Sequence, residues 1–457
     1  MFGIYLKSPA DPIEAARTAF YGLYALQHRG QESAGLAVAD GQNIRLHKNL
    51  GLVSEVVVPE DLGKLTGHIA VGHVGYSSQA EGGIVDAQPL VIHYLRGQLA
   101  LAQNGSLTNV EELHHSLSVR GSVFQTTTDT EIIANLLASY AQDSLENSLM
   151  KCMLDLQGGF TLLLMTEHEL IGMRDRKGIR PLCLGQLKGD YVLTSESAAL
   201  DTIGAEFIRD IEPGEIVIIG EEGLKSIKVP TGGEAPAHCI FEYVYIARPD
   251  STIDGFNVTL SRREFGRQLA REAQVDADIV IPVPDSGTES ALGYAEESGL
   301  PFQQGLMKNR YVGRTFIQPT QQMRELGVQL KLNPVKDIVG GKRIVMVDDS
   351  IVRGTTSKKI VKRLKDAGAR EVHVMVTSPP TKYSCFYGVD TSHQEELIAH
   401  KMTNAEICEY IGADSLHYIS LAGMYAALDA SGAKFCAACF DGNYPVSSLR
   451  AGKVSDS

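Results

Sequence analysis

The stretch Val347 to Ser357 reads VDDSIVRGTTS and follows the apolar run IVMV at Ile344 to Val347. A short, β-branched apolar run of this kind is the signature of a strand buried on both faces. After it, SKKIVKRLKDAGA repeats Ile360, Val361, Leu364 and Ala367 at helical spacing, and Gly368 supplies the stop. VHVMV at 372–376 then opens another strand. The segment is therefore a strand–helix–strand unit of a parallel sheet. In such a sheet ligands gather beyond the carboxyl ends of the strands, where helix N-termini point their N–H groups outward. Asp348 and Asp349 fall at that end. An isolated pair of aspartates reads as a solvated capping turn. Here the pair precedes Ser350 and then Arg353, Gly354, Thr355 and Thr356: a cation, a glycine that admits close backbone approach, and two hydroxyls at a helix start. Adjacent carboxylates repel unless something cationic or multiply hydroxylated joins them, and a ribose phosphate with Mg²⁺ meets that need. Neither GxxxxGK[ST] nor a GxGxxG before a helix occurs, which argues against P-loop and dinucleotide chemistry.

Working outward, the same rhythm precedes this unit, with ADIVIPV at 277–283 leading into PDSGTES at 284–290. Before the polar, Gly- and Pro-bearing stretch VPTGGEAPAH at 229–238 the pattern is different. There, many short strands with Gly-rich turns are broken by helical patterns near Pro12 to Gln27 and Asp129 to Tyr140. Two domains are expected, 1–229 of α+β type and 230–457 with a parallel α/β sheet. The 457 residues, 44% of them apolar, suffice for two substantial cores. A net charge of −13 argues against a nonspecific nucleic-acid binder. There is no apolar run of spanning length and the start MFGIYLKSPADP lacks secretory order, so no membrane role is expected and the cytosol is the default compartment. Seven cysteines, an odd number in a long chain, fit metal binding or isolated buried thiols better than a disulfide framework.

VMVDDSIVRGTTS resembles the phosphoribosyl pyrophosphate (PRPP) loop of type I phosphoribosyltransferases. The segments VIPVPDSGTESALGYA, GLMKNRYVGRTFIQP, QQMRELGVQLKLN and YGVDTSHQEELIA extend the resemblance to the glutamine PRPP amidotransferases. That family makes 5-phosphoribosylamine from PRPP at the first step of purine synthesis. The resemblance implies that Ser286, Asp348 and Asp349 surround Mg²⁺ and that Ser350, Arg353, Gly354, Thr355 and Thr356 hold PRPP. It also implies a flap from Lys308 to Arg314, with Lys308, Tyr311, Arg314 and, beyond it, Lys331 contacting the substrate. Interleaved cations, Tyr311 and Gly313 suit a mobile cover over a polyanion that must be kept from water. A homodimer or homotetramer inhibited by purine nucleotides is a further implication.

Cys436 and Cys439 form CAAC, which by itself fits zinc, redox chemistry or chance. One subgroup of the family carries a [4Fe-4S] cluster on a cysteine before FEY, one after SPP and a late CxxC. HCIFEYVYIARPDS, SPPTKYSCFYGVD and FCAACFDGNYP place Cys239, Cys385, Cys436 and Cys439 at those positions. The resemblance thus implies a cluster, with zinc as the alternative. Cys152, Cys183 and Cys408 are expected to be plain buried thiols.

The first half resembles the family through ALQHRGQESAG, AQPL, NGSLTN, TDTE, RDRKGIRPL, TSESAALD and PGE. This implies an Ntn-hydrolase four-layer αββα domain, in which an N-terminal cysteine attacks glutamine. Here the sequence opens Met1-Phe2-Gly3-Ile4, and a thioether cannot replace a thiolate. A start upstream of Met1 would restore the nucleophile. A second departure is internal: where the family has GHVRYST, with an arginine for the glutamine carboxylate, this chain has GHVGYSS and Gly75. Loss of a bidentate arginine removes a strong charge-assisted contact. Arg29, Asn104, Gly105 and Asp129 remain of the glutamine site. The expectation is a transferase that uses ammonia, its own glutaminase having decayed; the alternative is a silent PRPP- or nucleotide-binding regulator.

Overall fold

The computed structural model describes residues 1–76, 83–230, 232–233, 235–309, 332–391, 393–429 and 432–446. Tyr311, Arg314 and Lys331 lie outside them. Among the described residues, thirteen strands up to Lys228 build two sheets. The first has the order β11-β9-β10-β1-β4-β2-β3. Its strands are β1 Phe2–Tyr5, β2 Ser33–Ala39, β3 Ile44–Leu50, β4 Ile69–Gly75, β9 Cys183–Leu187, β10 Asp190–Thr194 and β11 Glu206–Asp210. The second has the order β13-β12-β8-β7-β6-β5, from β5 Leu90–Tyr94, β6 Gly97–Leu107, β7 Gly158–Met165, β8 Leu170–Arg174, β12 Glu215–Gly220 and β13 Gly223–Lys228.

Period-two side-chain alternation stacks these sheets into layers. In β4, Ala70 and Val74 face the core under helix α1, Glu14–Ala25, whereas Ile69 and Val71 face the second sheet. In β6, Ala100 and Ala102 answer them from the other side, while Leu99 and Leu101 turn to the helices Asp129–Ser139 and Leu145–Asp155. Ala37 and Ala39 with Ala100 and Ala102 fill this inner core beside the larger Ile69, Val71, Leu163 and Met165, and the result is helix, sheet, sheet, helix. The helices expected near Pro12 to Gln27 and Asp129 to Tyr140 form at Glu14–Ala25 and Asp129–Ser139.

After His238 the architecture changes to a four-stranded parallel sheet in the order Ile279–Pro282, Arg343–Asp348, Glu371–Val376, Ser415–Tyr418. Alternation again assigns faces. Val345 and Val347 join a core with the helices Val258–Glu272 and Thr288–Ser298, and Ile344 and Met346 pack beneath the helices Thr355–Asp366 and Asn404–Ile411. A parallel sheet covered on both faces must be apolar throughout, which is why IVMV carries no polar position. The chain closes on itself where His238–Cys239 pairs in parallel with Phe435–Cys436. Among the described residues no helix is long and apolar enough to cross a membrane.

Candidate active site

Strand Arg343–Asp348 delivers Asp348 and Asp349 to the carboxyl edge of the parallel sheet, both buried. Burial pushes both carboxyls above the ordinary range, and at Asp348 the neighbouring charge of Asp349 adds to the effect. At Asp349 the hydroxyls of Ser286 and Ser350 and the buried guanidinium of Arg262 work the other way. Two buried carboxylates held this way form a site that gains from a cation. Among the described residues, no three His, Cys, Asp or Glu side chains converge on a single metal ion. The buried pair offers the one or two carboxylates that a hard cation such as Mg²⁺ takes.

Ser286 is brought to Asp349 by the loop Val283 to Gly287, whose Val283 N–H donates to Val347 O at 2.8 Å. Gly287 makes this approach possible, because a Cβ there would lie 2.5 Å from Val347 O and 3.0 Å from Val283 O. On the opposite side Gly354, at φ +72°, caps helix Thr355–Asp366, and the exposed Thr355 and Thr356 begin its first turn. Lys308 at the base of the expected flap reaches back to Asp285, Nζ to Oδ2 at 2.7 Å. Arg353 pairs with Glu396, Nε to Oε2 at 2.7 Å, on the surface. Asp285 and Arg262 were not singled out in the sequence, although Asp285 lies inside the quoted PDSGTES.

Cys239, Cys385, Cys436 and Cys439 line one mainly apolar pocket with Ile179, Phe241, Tyr387 and Tyr444. Their segments are tied together through the backbone. Cys239 N–H donates to Ile179 O at 3.1 Å, Ile240 N–H to Cys436 O at 3.2 Å and Lys382 N–H to Cys439 O at 3.0 Å. Tyr387 N–H points at Cys385 Sγ, 3.4 Å away. Burial raises the thiols of Cys239, to about 12, and of Cys436 and Cys439. Cys152 and Cys183 are buried elsewhere with raised thiols, and the half-buried Cys408 donates to Ala413 O.

The residues carried over for the glutamine site are dispersed in their partners. Asp129 accepts from Leu107 N at 2.8 Å. Asn104 leaves its Nδ2 buried and without a partner among the described residues. Gly105 adopts φ +104° against Gly159 O, which would lie 2.0 Å from a Cβ. Arg29 is committed to an ion network, with Nη1 to Glu196 Oε1 at 2.5 Å and Nη2 to Glu242 Oε1 at 2.7 Å. Burial works against the Arg29 charge, and Glu242 and Glu196 more than restore it, raising its pKa above the guanidinium range. Burial likewise opposes ionisation of Glu196, yet His28 and Arg29 hold its carboxyl well below the usual range. Gly75 ends β4 against Ser33, whose Oγ would lie 2.8 Å from a Cβ on Gly75. Beside it His73, buried and pushed down to about 3 by desolvation, shares a hydrogen bond of 3.0 Å through Nε2 with Gln103 O.

A glutamine amidotransferase domain family matches residues 81–202. The amidophosphoribosyltransferase of Synechococcus elongatus is 50% identical over 98% of this chain and 91% of its own length. The chain belongs to the amidophosphoribosyltransferase family. Within that family, the Bacillus subtilis relative is 47% identical over 94% of this chain and 92% of its own length. The solved B. subtilis glutamine PRPP amidotransferase, complexed with ADP and GMP, is 46% identical and superposes with a TM-score of 0.91 over 98% of this chain and 97% of that one. An amidophosphoribosyltransferase is a glycosyltransferase, and the two-part architecture, a glutamine amidotransferase domain followed by a phosphoribosyltransferase domain, is the one this family shares.

Proposed function

We propose that this amidophosphoribosyltransferase forms 5-phosphoribosylamine from PRPP with ammonia as the nitrogen donor, at the first step of purine synthesis. The observation that carries the ammonia dependence is Gly75, in a segment where an arginine would grip the glutamine carboxylate. A glycine offers no charge, and its space is shared with Ser33. Cys152 and Cys183, the cysteines of the first 229 residues, are sealed with raised thiols and so make poor nucleophiles. We place the boundary between the domains at 229/230, where β13 has ended and the chain turns toward His238.

In this reading Asp348 and Asp349, steadied by Ser286 and Ser350, hold Mg²⁺, which supplies charge stabilisation for the departing pyrophosphate. Gly354, Thr355 and Thr356 offer backbone N–H groups and hydroxyls to the 5′-phosphate. Lys308, released from Asp285, offers a cation to the pyrophosphate; by resemblance Tyr311 and Arg314 of the flap, and Lys331 beyond it, join in binding PRPP. Ammonia attacks the anomeric carbon as the neutral amine, so the protein's part is placement and exclusion of water more than proton transfer.

The four thiols fit a [4Fe-4S] cluster better than zinc. All four stand at positions where the resemblance places cluster ligands, and they line one pocket. A cluster spreads four thiolates around a larger inorganic core. Inhibition by purine nucleotides is supported by the ADP and GMP of the B. subtilis structure, and we expect a cytoplasmic homo-oligomer.

The test is pyrophosphate release from PRPP and Mg²⁺ under anaerobic conditions, with ammonium at raised pH and with glutamine in parallel. Release with ammonium alone is expected. Equal release with glutamine would overturn the ammonia dependence, and silence with both donors despite PRPP binding would leave the regulatory reading in its place.

A further inference from the structure

A buried cation stands between the cysteine pocket and the glutaminase-like half. Arg180 follows Ile179, which lines the pocket, and its side chain is 2% exposed. Its stem runs past Gly105 and its Nη2 would lie 3.0 Å from a Cβ on Gly388. Nε donates to Tyr387 O at 2.8 Å, two residues beyond Cys385. Nη1 donates to Glu242 Oε1 at 3.1 Å, three residues beyond Cys239. The guanidinium therefore clasps the segments bearing two of the four thiols, and it comes from the other domain.

A [4Fe-4S] core with four thiolates is net negative, and one electron more makes it more so. Buried negative charge without compensation is costly. We propose that Arg180 is the cluster's counter-charge, a positioning residue supplied by the glutaminase-like domain, and that Glu242 tempers it. This rests on the cluster reading above. The arrangement gives the N-terminal domain a task that survives loss of its glutaminase chemistry, since Ile179 walls the pocket and Arg180 ties Tyr387 and Glu242 together behind it.

The test is an EPR-monitored titration with dithionite, which adds one electron to the cluster, on full-length protein reconstituted anaerobically with iron and sulfide. Arg180→Gln removes a positive charge and shifts the midpoint potential negative, Glu242→Gln removes a negative charge and shifts it positive, and Arg180→Lys stays near the parent. A merely structural disturbance would move both charge-removing variants the same way, so shifts of equal sign, or none, overturn the proposal. If Arg180→Gln retains no iron, the sign for Glu242→Gln decides alone: positive supports the counter-charge, and zero or negative refutes it. A parent protein that takes up no cluster removes the cluster reading and the proposal with it, whereas a loaded parent without opposed shifts removes only the proposal.

Discussion

Asp210 ends β11 against the turn at Asp254 and Gly255, across the seam between the two halves. Its carboxyl is pushed up to about 7 from an ordinary 3.8, by burial first and then by the charge of Asp254. Arg174 and the N–H groups of Asp254 and Gly255 only partly oppose this. The folded state therefore binds a proton that the unfolded state has released wherever the pH lies between the two values. Stability from this group is complete below about pH 4 and is lost as the pH rises toward 7. A shift of about three units corresponds to about 4 kcal/mol, and the partial exposure of Asp210 with its retained N–H contacts reduces this to about 1–3 kcal/mol. Asp210→Asn should accordingly stabilise the protein at pH 8, with the gain shrinking to zero near pH 4. Urea unfolding of parent and variant across that range measures it. A variant that is less stable at pH 8, or a gain that grows as the pH falls, would refute the reasoning.

Two further perturbations test the seam and the phosphosugar site. Arg29→Met leaves Glu196 to His28 and Glu242 to Arg180, and the buried carboxylates should cost about 3 kcal/mol at pH 7 in calorimetric unfolding; a loss under about 1 kcal/mol would show that the network is not buried in solution. Gly287→Ala must push the loop Val283 to Gly287 away from Val347 and carry Ser286 from Asp349. With ammonium as donor, kcat/KM for PRPP should fall roughly 10- to 100-fold while the protein still folds, and unchanged kinetics would deny Ser286 its place.

Much of the fold was legible because short-range rules govern it. The spacing of Ile360, Val361 and Leu364 sets the buried face of helix Thr355–Asp366, and the unbroken apolar IVMV demands cover on both faces. Asp348, Asp349 and Gly354 were legible for the same reason, since the end of a strand and the start of a helix are local events. The four cysteines became a set only through resemblance, as a lone CAAC specifies nothing. Arg29 shows where such reading stops: the resemblance puts it with the glutamine-site residues, and its partners Glu196 and Glu242 are named by no local rule.

The sequence by itself determined the elements, their faces and the strand-end position of Asp348 and Asp349, because period-two and helical spacing and glycine placement act over a few residues. Only the tertiary structure decided which charges meet in the seam. Arg29 and Glu242 are 213 residues apart, Arg180 and Tyr387 are 207 apart, and nothing in either neighbourhood names the other. Those pairings follow from the packing of the segments that bear Arg29, Arg180, Glu242 and Tyr387 against one another, and burial then compels each charge to take the partner that the packing brings within reach.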